Sequence, residues 1–287
     1  AYELQKSSFI KLNCTSVYCI PLFMDGTFSR NELYWGKDFQ KHLFGLEIAV
    51  FGLGGVGGFA LEALARAGVG HFLIVDFDTV SKSNINRQLI ALNSTAGKKK
   101  TEVFKERLLD INPDIQVQVY DGFFSEEAAP KVFSGNFALN DVDFIVDAID
   151  TVKSKIELIK LAKENGIKIV SSLGAGNRMD ATKLFVADIS EIKALGGAKD
   201  SFVKNVLNKL KKYAETEEGL TVVSSSEKAH NERKISTLET VDTGNGKSVE
   251  YTKFTPASTP VVPAVAGYLM ANHILKSCYN NFLNLKS

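Results

Sequence analysis

Apolar residues along the chain fall into two alternating patterns. Short apolar runs at 48–51, 72–75, 115–120, 144–146 and 167–170 have the length and β-branched content of buried strands. Between them, 59–66, 101–110 and 155–164 carry apolar positions three and four apart, the spacing of one helix face. Strand and helix in turn predict an α/β fold: a Rossmann-like, doubly wound, mostly parallel sheet with helices on both faces. In such a sheet a ligand lies beyond the strand C-termini, near the switch in strand order.

After Gly176 the pattern changes. Residues 183–187 predict a further strand, and 200–212 a lysine-rich amphipathic helix. The stretch 224–253 has few apolar residues and contains Thr243-Gly-Asn-Gly-Lys247, which predicts a mobile, structureless insert. Residues 254–275 are uncharged apart from His273, yet Pro256, Pro260 and Pro263 make them a poor membrane span. A strand and turn, then a helix with Pro263 at its first position, fits better. The expected organisation is one domain over 1–287. It has an N-terminal extension over 1–28, a core over 29–188, and a C-terminal part over 189–287 that extends the sheet in mixed or antiparallel fashion.

Composition narrows the function classes. The 287 residues are 45% apolar and 23% charged with net charge +1, so any basic site must be local. Cys14, Cys19 and Cys278 form no Cys-x-x-Cys pair, which argues against tetrahedral zinc and for a reducing compartment. Cys14 and Cys19 could pair, but incidental thiols explain them as well. The N-terminus shows no signal-peptide pattern and no arginine-rich transit helix. A cytoplasmic location is expected, with a mitochondrial one open for a eukaryotic source.

The chemistry concentrates at predicted strand ends. Gly52, Gly54, Gly55 and Gly57 form a glycine-rich strand-to-helix turn that lets backbone N–H groups approach a diphosphate. Asp76, 19 residues beyond Gly57, ends the next strand, where a carboxylate accepts from ribose hydroxyls. Asp78 reads equally as a site acid or as a cap of the following loop. The glycines alone do not choose between a dinucleotide and ATP. Arg87, in the loop that leaves this second strand, has a natural partner in a polyphosphate; a surface arginine paired with an acid is the plain alternative. Lys98, Lys99 and Lys100 precede a helix whose dipole opposes them, which makes sense with a phosphate as counter-charge, or they form a solvated charge run. Asp150, after the fourth apolar strand, begins the following helix and reads as an N-cap, as a Mg²⁺ ligand, or as both.

Taken together, GxGGxG, DFD, NxxRQ, GxxK and DAID resemble the ATP-dependent adenylating enzymes related to ubiquitin activation. That resemblance implies Asp76 on ribose, Asn84, Arg87 and Lys100 on phosphates, Gln88 shaping the site, and Asp150 on Mg²⁺. It also implies a homodimer in which Arg30 reaches the partner's γ-phosphate, although an ordinary surface arginine remains an open reading. Arg30-Asn-Glu-Leu-Tyr-Trp-Gly36, Ala63-Leu-Ala-Arg-Ala-Gly-Val-Gly70, Asp110-Ile-Asn-Pro113, Ser172-Leu-Gly-Ala-Gly-Asn177 and Val262-Pro-Ala-Val-Ala-Gly267 narrow it. They resemble the tRNA threonylcarbamoyladenosine dehydratase branch. The implied reaction uses ATP to activate a threonine carboxylate on tRNA, and a neighbouring carbamoyl group then closes on it and expels AMP. No zinc, DNA or membrane insertion is implied.

The competing branch, which activates ubiquitin-like or sulfur-carrier proteins, commonly has zinc cysteines and often a catalytic cysteine in its later half. Only Cys278 lies beyond Cys19 here. A nucleotide-binding scaffold that has lost its substrate is a third reading. Lys199, Lys204, Lys209, Lys211 and Lys212 are candidates for the tRNA phosphate backbone, against a solvated face over a core helix. This chain has Asp200-Ser201 where the family commonly has Asp-Pro.

Overall fold

The computed structural model describes residues 26–212, 219–230, 235–242 and 248–285. Two short helices, α1 (Ser29–Trp35) and α2 (Lys37–Phe44), lead into β1 (Glu47–Phe51). There follow α3 (Gly57–Ala67), β2 (His71–Asp76), α4 (Lys100–Ile111), β3 (Gln116–Asp121), α5 (Ala129–Val132), β4 (Phe144–Asp147), α6 (Val152–Glu164) and β5 (Lys168–Ser172). The C-terminal part holds β6 (Leu184–Asp188), α7 (Ser201–Leu210), β7 (Thr221–Ser225), β8 (Ile235–Asp242), β9 (Ser248–Thr255) and α8 (Val261–Asn284).

The main sheet runs β3-β2-β1-β4-β5-β7-β6. All neighbours are parallel except β6, which pairs antiparallel with β7 at the edge. From β1 the chain winds outward through β2 and β3, then returns to lay β4 and β5 on the other side. The switch in strand order therefore falls between β1 and β4. The doubly wound fold and its antiparallel extension are as expected from the apolar pattern.

Each sheet face carries its own core. One packs Phe39, Leu61, Leu64, Phe104, Met270 and Ile274 from the helices against Ile48, Val50 and Phe72. The other packs Phe124, Leu158, Ile159, Val206 and Leu210 against Ala49, Phe51 and Ile145. Side chains of this size stabilise by about 1.5–3 kcal/mol each when fully buried. The apolar runs are continuous because the parallel strands are covered on both faces.

Three expectations are corrected. The insert is not structureless: β8 and β9 pair antiparallel as a two-stranded ribbon, from Ile235↔Thr255 to Asp242↔Ser248. Ser224 and Ser225 belong to β7 of the main sheet, so the insert begins later than expected. Thr243–Lys247 and the paired reading of Cys14 and Cys19 lie outside the described residues. Next, α8 starts at Val261, and Pro263 sits at its third position. The N–H groups of a first helical turn have no intrahelical partner, so proline costs little there. Lastly, Asp150 does not begin α6. Thr151 takes the N-cap position, and no side chain caps that helix.

Candidate functional site

The glycine turn sits where β1 hands over to α3, at the switch point. Gly52 has φ +85°, and a Cβ on it would lie 2.7 Å from the Ala148 carbonyl oxygen. Only glycine lets the turn lie against the Asp147–Asp150 segment at this separation. A Cβ on Gly57 would come far inside contact distance of the Gly52 carbonyl, so α3 can begin directly against the turn. No side chain caps α3, and the N–H groups of Gly58 and Phe59 at its start bond the Gly54 and Val56 carbonyls of the turn.

Asp76 locks this turn to β2. Its Oδ2 accepts from Leu53 N–H at 2.6 Å and its Oδ1 from Asp78 N–H at 2.8 Å. Burial pushes its carboxyl above the usual range, opposed by the nearby Lys100 ammonium. Lys100, the first residue of α4, donates to Asp78 Oδ2 at 2.8 Å and lies 3.8 Å from Asp76 Oδ2. Lys99 pairs with Asp121 at 3.1 Å. Lysine charges at this helix start thus have carboxylates beside them within the protein. Lys98 is exposed.

The loop after β2 brings the remaining polar residues to the same strand end. Asn84 Oδ1 accepts from Ser81 N–H, closing a capping box on the short turn that precedes Arg87. Arg87 lies against the glycine turn: a Cβ on Gly55 would fall 3.2 Å from the Arg87 carbonyl and 3.3 Å from Pro263 of α8. Its Nη1 donates to Ser83 O at 2.9 Å and to Asn86 Oδ1 at 2.8 Å. Among the described residues it has no carboxylate partner. Burial lowers its pKa, as expected for a half-covered cation without an anion. Gln88 is buried with Oε1 unpartnered, and its Nε2 lies 3.7 Å from where a Cβ of Gly54 would be. An orphaned acceptor and an uncompensated guanidinium at one glycine turn suit a ligand that offers both donors and negative charge.

Asp150 is exposed across the turn and only weakly meets the Thr151 hydroxyl, at 3.5 Å. Arg30 is exposed on α1, which Asn31 ties to the end of α3 through the Arg66 carbonyl. Among the described residues no hydrogen bond or ion pair joins Arg30 to the glycine turn. The lysines at 199, 204, 209, 211 and 212 are all exposed, while Val203, Val206, Leu207 and Leu210 bury the opposite face of α7.

Sequence reasoning missed two constructions. Asp147, at the end of β4, is fully buried and meets Lys155 Nζ at 2.7 Å and Ser171 Oγ at 2.6 Å. Lys155 is itself fully buried, and burial lowers its pKa against the pull of Asp147. The signal was present: a lysine in the first turn of a helix needs a nearby anion, and DAID supplies one. The second is a knot around Asn177. This residue holds φ +58°, a left-handed conformation that asparagine tolerates better than most side chains. It exchanges bonds with Ala257 (N to O 2.7 Å, Oδ1 from N 2.8 Å), and its carbonyl accepts from His230 N–H at 2.8 Å. Next to it, buried Arg178 reaches Asp200, the cap of α7, at 3.3 Å.

A parallel sheet with a glycine turn at its switch point, and cationic groups beside that turn, defines a nucleotide-binding α/β protein. The ThiF family profile matches residues 28–285, and the chain belongs to that family. It is 39% identical over 251 residues to the tRNA threonylcarbamoyladenosine dehydratase of Bacillus subtilis, covering 86% of this chain and 92% of the relative. It is 42% identical over 144 residues to the Haemophilus influenzae enzyme of that name, half of this chain and 53% of the relative. Among solved structures, E. coli tRNA N6-threonylcarbamoyladenosine dehydratase in complex with ATP superposes with a TM-score of 0.76 at 27% identity. That match covers 93% of this chain and 99% of the other.

Proposed function

We propose that the chain dehydrates threonylcarbamoyladenosine in tRNA at the expense of ATP. The observation that carries this reading is Arg87, half-buried at the glycine turn, held by neutral acceptors and, among the described residues, matched by no acid. The threonine carboxylate attacks the α-phosphorus of ATP, and pyrophosphate leaves. The carbamoyl nitrogen then attacks the acyl-adenylate carbon, expels AMP and closes the hydantoin ring, for a net loss of water. Arg87 and Lys100 stabilise charge developing on the phosphates, which is where preorganised donors act most strongly. Asp76 holds the glycine turn and accepts from ribose. Asn84 shapes the loop, and Gln88 offers Oε1 to a donor on the nucleotide.

Asp150 is the carboxylate that would hold Mg²⁺, since the magnesium of an ATP site takes few protein ligands and several oxygens from phosphate and water. A homodimer would bring the partner's Arg30 to the γ-phosphate. The five exposed lysines around α7 would follow the tRNA backbone, giving salt-sensitive binding without sequence preference. Incubation with ATP, Mg²⁺ and modified tRNA, followed by nucleoside mass spectrometry, should show a water-loss product with stoichiometric AMP. AMP release on a ubiquitin-like carrier instead would shift the reading to carrier activation. ATP binding with no AMP on either substrate would leave a nucleotide-binding interaction module.

A further inference from the structure

The loop that leaves β5 carries one large apolar side chain into solvent on a braced backbone. Met179 is 77% exposed. A lone exposed apolar residue is ordinary on a protein surface and needs no explanation by itself. What sets Met179 apart is how its backbone is held. Its N–H and that of Asp180 both bond the Glu227 carboxylate, at 2.9–3.1 Å. On the other side Asn177 is locked to Ala257, and buried Arg178 donates through Nη1 to the Gly176 carbonyl at 2.8 Å.

Two further connections place this loop. The Asp200 carboxylate is shared: Oδ1 caps α7 by accepting from Phe202 and Val203 N–H, and Oδ2 meets Arg178 Nη2. Met179 is thereby tied to the start of the helix that exposes Lys204 and Lys209, with exposed Lys199 just before it. In the other direction the Thr259 hydroxyl reaches the Arg178 carbonyl at 3.5 Å. Its neighbour Ser258 accepts through its carbonyl from Asn86 Nδ2 at 3.0 Å, one residue from Arg87. Met179 thus stands on a bonded path from the lysine face of α7 to the Arg87 loop, beyond the C-terminal end of β5.

We propose that Met179 is a contact for the RNA substrate: a base next to the modified adenosine leaves its stack and lies on the thioether, while the α7 lysines hold the phosphates. This deepens the tRNA reading given above and rests on it. Sequence-reading contacts to RNA fall on unstacked bases of single-stranded segments. A thioether is polarisable and packs favourably on an aromatic ring. The lysines supply attraction without sequence preference, and the apolar contact adds affinity that salt does not screen.

The test measures binding of threonylcarbamoyladenosine-modified tRNA to the full chain without ATP, so that no turnover occurs, across a range of salt. Met179→Ala should weaken binding by about three- to tenfold, the scale of one sulfur–aromatic contact. The slope of log affinity against log salt should stay that of the parent, whereas Lys204→Gln combined with Lys209→Gln should reduce it. Met179→Leu should recover part of the loss. Melting temperature, and ATP affinity without tRNA, should match the parent for Met179→Ala, because the side chain is exposed. Two further RNAs each lack the base on one side of the modified adenosine. On one of them parent and Met179→Ala should bind equally, since the contact is already gone. Equal binding of intact tRNA by parent and Met179→Ala overturns the proposal, as does a difference that persists on both abasic RNAs. Lost affinity for a ubiquitin-like carrier, with tRNA binding unchanged, overturns it in favour of a protein partner. A parent that binds no tRNA removes the underlying reading and this proposal with it.

Discussion

Two aspartates flank the glycine turn, one at the end of β2 and one at the end of β4, and the chain finishes them differently. Asp76 and Asp147 each accept from the N–H two residues on, and each faces a lysine in the first turn of a neighbouring helix. At Asp147 the pair is sealed: both side chains are fully buried and Ser171 fills the remaining place. At Asp76 the lysine leans instead toward Asp78, whose side chain is 42% exposed. One device is closed and structural. The other is open on one side, where the Asp78 carboxylate that holds the lysine meets solvent. A buried ion pair at a strand end is therefore no evidence of a site; an ion pair with one face open, beside an arginine that meets no acid among the described residues, is better evidence.

Breaking the closed pair should have the largest effect. Lys155→Met strands a buried carboxylate, and chemical denaturation should show a loss of about 3–5 kcal/mol. A loss under 1 kcal/mol would mean that the two pairs do not differ in kind. At the open side, Arg87→Ala and Asp150→Ala should each cut AMP formation by about 100–1,000-fold with little change in melting temperature. Normal turnover by both would remove the site assignment. Lys100→Met should combine a turnover loss of similar size with a stability loss of no more than about 2 kcal/mol, because Asp76 keeps its two N–H donors and Asp78 meets water. Equal stability losses for Lys100→Met and Lys155→Met would erase the contrast.

The smallest effect lies at the opposite end of the sheet, where acids crowd one another. Glu47, at the start of β1, is raised to about 7 by burial and by the nearby Asp141 and Asp143. A carboxyl raised on folding contributes stability in full below its unfolded value near 4.5, and that contribution is lost as pH rises through about 7. Glu47→Gln should therefore flatten the fall in melting temperature between these pH values. Parallel profiles for parent and variant would refute the shift.

The strands of the sheet were legible because burial on both faces makes their apolar runs continuous. The glycine turn and the Arg87 loop were legible because their residue types are costly without a ligand or a special backbone. The ribbon was not: Ile235–Asp242 mixes Ile, Leu and Val with polar residues on both alternating faces, and its pairing rests on backbone bonds that leave little trace in composition. Asp147 and Asp150 look equivalent in DAID, and only the position of Lys155 shows which is sealed. Asn86 resembles any loop asparagine, since its distant partner is a backbone carbonyl that no local pattern encodes.

The left-handed turn at Asn177 has an architectural consequence. With entry and exit of the ribbon pinned to a single residue, and the ribbon pairing only with itself, everything between those points is a cassette. Its length and composition can change without re-registering a strand of the main sheet, much as a tool is changed without rebuilding the handle. A lineage could remodel the ribbon while the glycine turn and the strands around it stayed as they are.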